Sequence, residues 1–156
     1  MVRRRVLLAD DYSPILETVR GLLEPEFEIV GTVTNGRALL TAAQDLQPDV
    51  IILDWSMPLL NGPSAARLLR KLVPQAKLIF LTAHADAAYA AAAFAAGASG
   101  YLVKPALAGL ADAIRWVLDG KEVGRDLLRD PSPGATGTAG LESGSAEADI
   151  RYRGAA

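Results

Sequence analysis

The chain has 156 residues, is 51% hydrophobic, and sets 16 Lys+Arg against 18 Asp+Glu for a formal net charge of −2. That is the size and apolar content of one globular domain with a short appendage, and the charge balance speaks against a protein that coats nucleic acid. With no cysteine and a single histidine, His84, disulfides and thiolate chemistry are excluded, and a histidine-built metal site or serine–histidine relay is disfavoured.

Arg3-Arg4-Arg5 opens the chain, but the apolar run behind it lasts only from Val6 to Ala9, too short for a signal peptide. Arg5 to Ala9 instead reads as a buried strand ended by Asp10-Asp11. Ser13-Pro14 supplies an N-cap and a first-turn proline for a helix whose stripe is Ile15, Leu16, Val19, Leu22 and Leu23. Pro25 stops it. Glu28 to Val33 is a second strand, Asn35-Gly36 a turn, and Leu39, Ala43 and Leu46 a second helical stripe. Val50 to Leu53 is continuously apolar, as in a parallel sheet covered on both faces, and it stops at Asp54. A loop from Trp55 to Gly62 leads to a helix with Ala65, Leu68, Leu69 and Leu72. Lys77 to Thr82 is the fourth strand, Ala87 to Ala96 the fourth helix, and Gly100 to Val103 the fifth strand. Leu107, Leu110, Ile114 and Val117 mark a fifth helix ending at Asp119-Gly120. The uncharged stretch from Ala87 to Val103 is alanine-rich, interrupted by glycines and short of a membrane span, so no membrane association and a cytoplasmic location are expected.

Strands alternating with crossover-length helices imply a parallel α/β sheet, and five such units suit an open doubly wound sandwich rather than an eight-fold barrel. From about Val123 the apolar period dissolves into Pro131, Pro133, glycines and small polar residues. Residues 1–121 are therefore read as the domain and 122–156 as a disordered or weakly docked tail.

In a doubly wound sheet the chemistry sits beyond the carboxyl ends of the strands. Those ends carry Asp10-Asp11, Asp54, Thr82 and Lys104-Pro105. If the strand order is 2-1-3-4-5 they share one rim. Crowded carboxylates repel, and a hard divalent cation bound through oxygen relieves the repulsion, Mg²⁺ being the natural candidate. A metal, a lysine and a hydroxyl around one remaining carboxylate are the parts for phosphoryl transfer, with Asp54 as the group that accepts phosphorus.

These residues carry a resemblance. Asp10-Asp11, Val50 to Asp54 followed by Met57-Pro58 and Gly62, Thr82-Ala83, and Ala96-Gly97-Ala98-Ser99-Gly100-Tyr101-Leu102-Val103-Lys104-Pro105 together resemble a response-regulator receiver domain of two-component signalling. The likeness is greatest to receivers that carry a helix-turn-helix output domain. It implies the flavodoxin-like (βα)5 fold, with Asp54 accepting a phosphoryl group from a histidine kinase or phosphotransfer protein. It further implies Mg²⁺ held by Asp11 directly, by Asp10 largely through water, by Asp54 and by the Ser56 main-chain carbonyl. Lys104 would contact the phosphoryl group, and Thr82 would swing to a phosphoryl oxygen while Tyr101 rotates inward. The Lys104–Pro105 bond would be cis, and Ser56 and His84 would tune the lifetime of the phosphoryl group.

Each feature also has a plainer explanation. An acid pair favours a helix N-terminus, threonine suits a strand end, and His84 could be an exposed loop histidine. Trp116 lies opposite the apolar stripe of the fifth helix; it either marks a partner or dimer surface on the face formed by the fourth helix, fifth strand and fifth helix, or lies beneath the tail. After Gly120 no helix-turn-helix pattern follows, so the expectation is a stand-alone receiver or a truncated regulator that does not itself bind DNA. Two other classes compete: a constitutive protein-binding module on the same fold, and a metal-dependent phosphohydrolase with an aspartate nucleophile. The second usually wants another acid two residues after the nucleophile, where this chain has Ser56.

Overall fold

The computed structural model describes residues 2–129, with Pro105 and Ala106 described by their backbone alone. Five strands, β1 (Arg5–Ala9), β2 (Glu28–Val33), β3 (Val50–Leu53), β4 (Lys77–Thr82) and β5 (Gly100–Val103), pair in parallel in the order β2-β1-β3-β4-β5. All five match the sequence expectation, and so does their order. Between and after them run α1 (Ser13–Leu23), α2 (Gly36–Leu46), α3 (Gly62–Leu72), α4 (Ala87–Ala95) and α5 (Leu110–Leu118), giving the flavodoxin-like doubly wound architecture. Central β3 is buried along its whole length, and Val6 to Ala9 of β1 are equally enclosed, which is why these segments read as unbroken apolar runs.

The helices begin where the backbone can be capped. Asn35 accepts from the Ala38 N–H at 2.7 Å to open α2, and Asn61 accepts from Ser64 at 2.9 Å to open α3. Asn35-Gly36 is thus a helix start rather than a free turn. Likewise Ser13 is already helical and Tyr12 takes the N-cap position of α1. Leu107 belongs not to α5 but to a 3-10 segment, Lys104–Gly109, that precedes it. Pro105 stands in the first turn of that segment, where its fixed φ fits. No peptide bond among the described residues is cis, so the cis bond expected before Pro105 is not found.

Helix α4 differs from the others. It buries only Ala90 and Ala93, so its apolar hold on the sheet is the slightest of the five. Its end turns through Gly97 at φ +106, where a Cβ would lie 2.5 Å from Arg70 Cγ.

Pairing and burial continue past residue 121. Val123 is buried and bridges Gly100 in parallel, and a 3-10 segment, Arg125–Arg129, follows with Leu127 buried. Val123 and Leu127, four residues apart, are the apolar spacing that the surrounding small and polar residues obscure. The rest of the expected tail, residues 130–156, lies outside the described residues. Trp116 is half-buried and packs against the core, not turned fully outward, because it flanks the stripe of Ala113, Ile114 and Val117. Among the described residues no helix is long and apolar enough to cross a membrane.

Candidate functional site

The strand ladder itself delivers the acids. The Asp10 N–H donates to Val33 O at 3.1 Å and the Asp54 N–H to Ala9 O at 3.0 Å, so both residues continue the sheet hydrogen bonding one step beyond their strands. Asp10 and Asp54 are buried, at 3% and 7% exposure, while Asp11 faces solvent. Asp10 Oδ1 accepts from the Tyr12 N–H at 2.9 Å, and Asp54 Oδ1 from the Trp55 N–H at 2.8 Å. Their other oxygens face the same cation: Lys104 Nζ is 3.0 Å from Asp10 Oδ2 and 3.5 Å from Asp54 Oδ2. The long lysine stem crosses from the end of β5, past β4, to reach β3 and β1. Asp10, Asp11 and Asp54 each offer an oxygen within 4.8 Å of the others.

Burial raises the Asp54 pKa above its ordinary carboxylate value; Asp10 pushes the same way, and Lys104 and the Trp55 N–H only partly offset them. For Lys104, burial pulls downward, but its bonds to Asp10 and Asp54 outweigh it and leave the pKa raised. The site thus holds more negative charge than one ammonium balances, which is the electrostatic condition for welcoming a divalent cation.

Thr82 is buried at the end of β4, with its hydroxyl accepting a long 3.4 Å bond from the His84 N–H. Tyr101 is completely buried and its hydroxyl donates to the His84 carbonyl at 2.6 Å. The 82–84 turn is therefore held from both sides by the two residues the sequence singles out. Ser56 lies exposed on the loop after β3, and Trp116 stands apart on α5.

An aromatic cluster escaped the sequence reading. Trp55 meets Tyr89 edge-on at 4.9 Å and Phe80 at 5.4 Å, and His84 stacks on Tyr89 at 4.3 Å and 18°. Tyr89 of α4 thus touches both the residue after Asp54 and the residue that holds Tyr101. The available signal was that Tyr89 and Phe94 are the two large side chains in a helix otherwise built of alanine.

This geometry belongs to a known class of module. The response regulator receiver domain profile matches residues 6–115, and the chain belongs to that family, whose members are signalling phosphoacceptors rather than classical enzymes. Among curated relatives, the transcriptional regulatory protein DegU of Brevibacillus brevis is 35% identical over 119 residues, covering 74% of this chain and 50% of that protein. The chemotaxis protein CheY of Thermotoga maritima is 33% identical over 103 residues, covering 65% of this chain and 86% of that protein. Among solved structures, a LuxR-family two-component response regulator from Aurantimonas sp. SI85-9A1 superposes with a TM-score of 0.75 at 30% identity, covering 80% of this chain and 92% of that one. The chain spans about half the length of the curated transcriptional regulators that head its relatives.

Proposed function

We propose that this protein is a phosphorylation-switched receiver in which Asp54 accepts a phosphoryl group from a histidine kinase or phosphotransfer protein. The observation that carries the reading is the buried Asp54 carboxylate, 3.5 Å from Lys104 and gathered with Asp10 and Asp11 within 4.8 Å. Three hard oxygen donors with too little positive charge between them fit Mg²⁺, which Asp10, Asp11, Asp54 and the Ser56 carbonyl would hold. Mg²⁺ supplies charge neutralisation for the phosphoryl oxygens.

In the transfer, an Asp54 carboxylate oxygen forms a bond to phosphorus while the phosphorus–nitrogen bond of the donor imidazole breaks, and the leaving electron pair stays on that nitrogen. Asp54 is aimed by its bond from the Trp55 N–H. Lys104 turns from Asp54 toward the phosphoryl oxygens and remains beside Asp10. Thr82 gives its hydroxyl to the third oxygen and releases the long bond from His84. That release loosens the turn whose carbonyl holds Tyr101, and the face built by α4, β5 and α5 changes its contacts with a downstream protein or a second copy. His84 and Ser56 stand at the entrance and set how readily water reaches the acyl phosphate. On this reading the module works in the cytoplasm, within reach of a histidine kinase.

Incubation of the full chain with Mg²⁺ and acetyl phosphate adds one phosphoryl mass, chelation of Mg²⁺ prevents it, and Asp54→Asn abolishes it. An unchanged mass in the native sequence under saturating donor would overturn the reading in favour of a constitutive binding module.

A further inference from the structure

Residues 121–129 lie beyond the segment that matches the receiver family, yet they pack onto its output face. The Val123 N–H donates to Ser99 O at 3.0 Å, and the Tyr101 N–H donates to Val123 O at 2.9 Å, so this segment adds a short parallel step to the outer edge of β5. The next residue, Gly124, has φ +91, and a Cβ there would stand 2.0 Å from Tyr101 O, which leaves glycine as the residue that fits. Arg125 then crosses to α4, its guanidinium 4.4 Å from the centre of the Phe94 ring and its Nε paired with Glu122 at 2.5 Å. Leu127 is buried behind it. One short stretch is therefore fastened to two different elements: to β5 at the switch residue Tyr101, and to α4 at Phe94.

We infer that Lys121–Arg129 is a displaceable clasp on the α4–β5 face, closed over the sheet edge as described and released when Asp54 is phosphorylated. The inference rests on the phosphoacceptor reading above and adds the first occupant of its output surface. The coupling runs through contacts already named. Loss of the Thr82–His84 bond shifts His84, which stacks on Tyr89 of α4. With only Ala90 and Ala93 buried, α4 is the helix least able to resist. Phe94 moves with it and pulls the segment, through Arg125, against the two bonds by which Val123 pairs with Ser99 and Tyr101. A clasp that bridges two elements cannot keep both holds when one slides against the other. Its release uncovers main-chain groups of Ser99 and Tyr101 together with the Phe94 ring, an edge suited to receive an extended protein segment by strand addition.

Hydrogen exchange on the full chain, with phosphoryl mass measured on the same samples, tests this. With Mg²⁺ and acetyl phosphate, amides in 121–129 and the Tyr101 amide exchange about tenfold faster or more, while β1 and β3 stay protected. Gly124→Ala opens the clasp without donor: exchange in 121–129 is already fast, changes little on phosphorylation, and the phosphoryl mass is still acquired. Arg125→Ala, which removes only the α4 hold, gives an intermediate rate. A phosphoryl mass with unchanged or increased protection would overturn the clasp and leave the phosphoacceptor reading standing, as would full protection in Gly124→Ala. Absence of the mass in the native sequence would bring down both.

Discussion

Replacing Lys104 by methionine keeps the side chain's bulk and removes a cation bonded to both buried acids, 3.0 Å from Asp10 and 3.5 Å from Asp54. Removing one partner of a buried ion pair costs about 3–5 kcal/mol, because the remaining charge stays desolvated. Lys104 is 21% exposed, so solvent moderates the loss and the low end, about 3 kcal/mol, applies. At roughly 3–5 °C per kcal/mol for a domain of this size, Lys104→Met melts about 10–15 °C below the native sequence in chelator at pH 7.5. The pH dependence has a definite sign. Asp54 has a folded-state pKa raised by burial and by Asp10, and Lys104 counteracts the rise. A raised folded pKa contributes stability that is fully present below the unfolded value and lost as pH rises through the folded one. Removing Lys104 raises it further, so the deficit is largest at neutral pH and shrinks as the carboxylate protonates on acidification. Mg²⁺ at a hundred times its dissociation constant stabilises by about 2.7 kcal/mol, and a tighter-binding variant gains more. Thermal melts at pH 7.5 and pH 5, in chelator and in Mg²⁺, measure all of these. A variant that melts within about 2 °C of the native sequence in chelator, or whose deficit grows on acidification, would refute the electrostatic account.

Asp54→Asn removes a charge that burial opposes, so at neutral pH without Mg²⁺ it melts higher than the native sequence while losing phosphorylation; the gain fades as pH falls through the carboxylate range, and a lower melt at neutral pH would contradict it. Tyr101→Phe deletes the 2.6 Å bond to the His84 carbonyl, costs about 1 kcal/mol in denaturant unfolding, and leaves phosphoryl uptake intact while weakening the structural response seen by hydrogen exchange. Gly62→Ala places a Cβ 2.3 Å from the Asp54 carbonyl, so it costs about 1–3 kcal/mol and slows phosphorylation measured by mass. Asn35→Ala, whose side chain bonds the Ala38 N–H of α2, costs about 1 kcal/mol through the lost cap and leaves the phosphorylation rate unchanged.

The sheet was readable from the sequence because its strands are covered on both faces: Val50 to Leu53 could hardly be anything else, and each strand ends at a charged or polar residue. The acid cluster was readable for the same reason, since parallel order turns sequence-distant strand ends into neighbours. What stayed hidden depends on partners outside the local pattern. The Lys104 ammonium lies nearer Asp10 than Asp54, which strand order alone does not fix. Ser13-Pro14 and Asn35-Gly36 have the residues of caps and turns, but which residue enters the helix depends on the backbone angle delivered by the preceding strand. Val123 and Leu127 look like stray apolar residues in a polar stretch until the open edge of β5 gives them something to pair with and cover. Tyr89 could be placed on α4, but its two neighbours, Trp55 and His84, come from other turns of the chain.

The main-chain bonds from Asp10 to Val33 and from Asp54 to Ala9 carry a practical consequence. Since the acids meet only when β1, β2 and β3 are correctly zipped, an unfolded or misregistered molecule lacks the acceptor site proposed above. On that proposal, uptake of label from a small phosphodonor would count native molecules, and a preparation's stoichiometry would double as an assay of how much of it has folded.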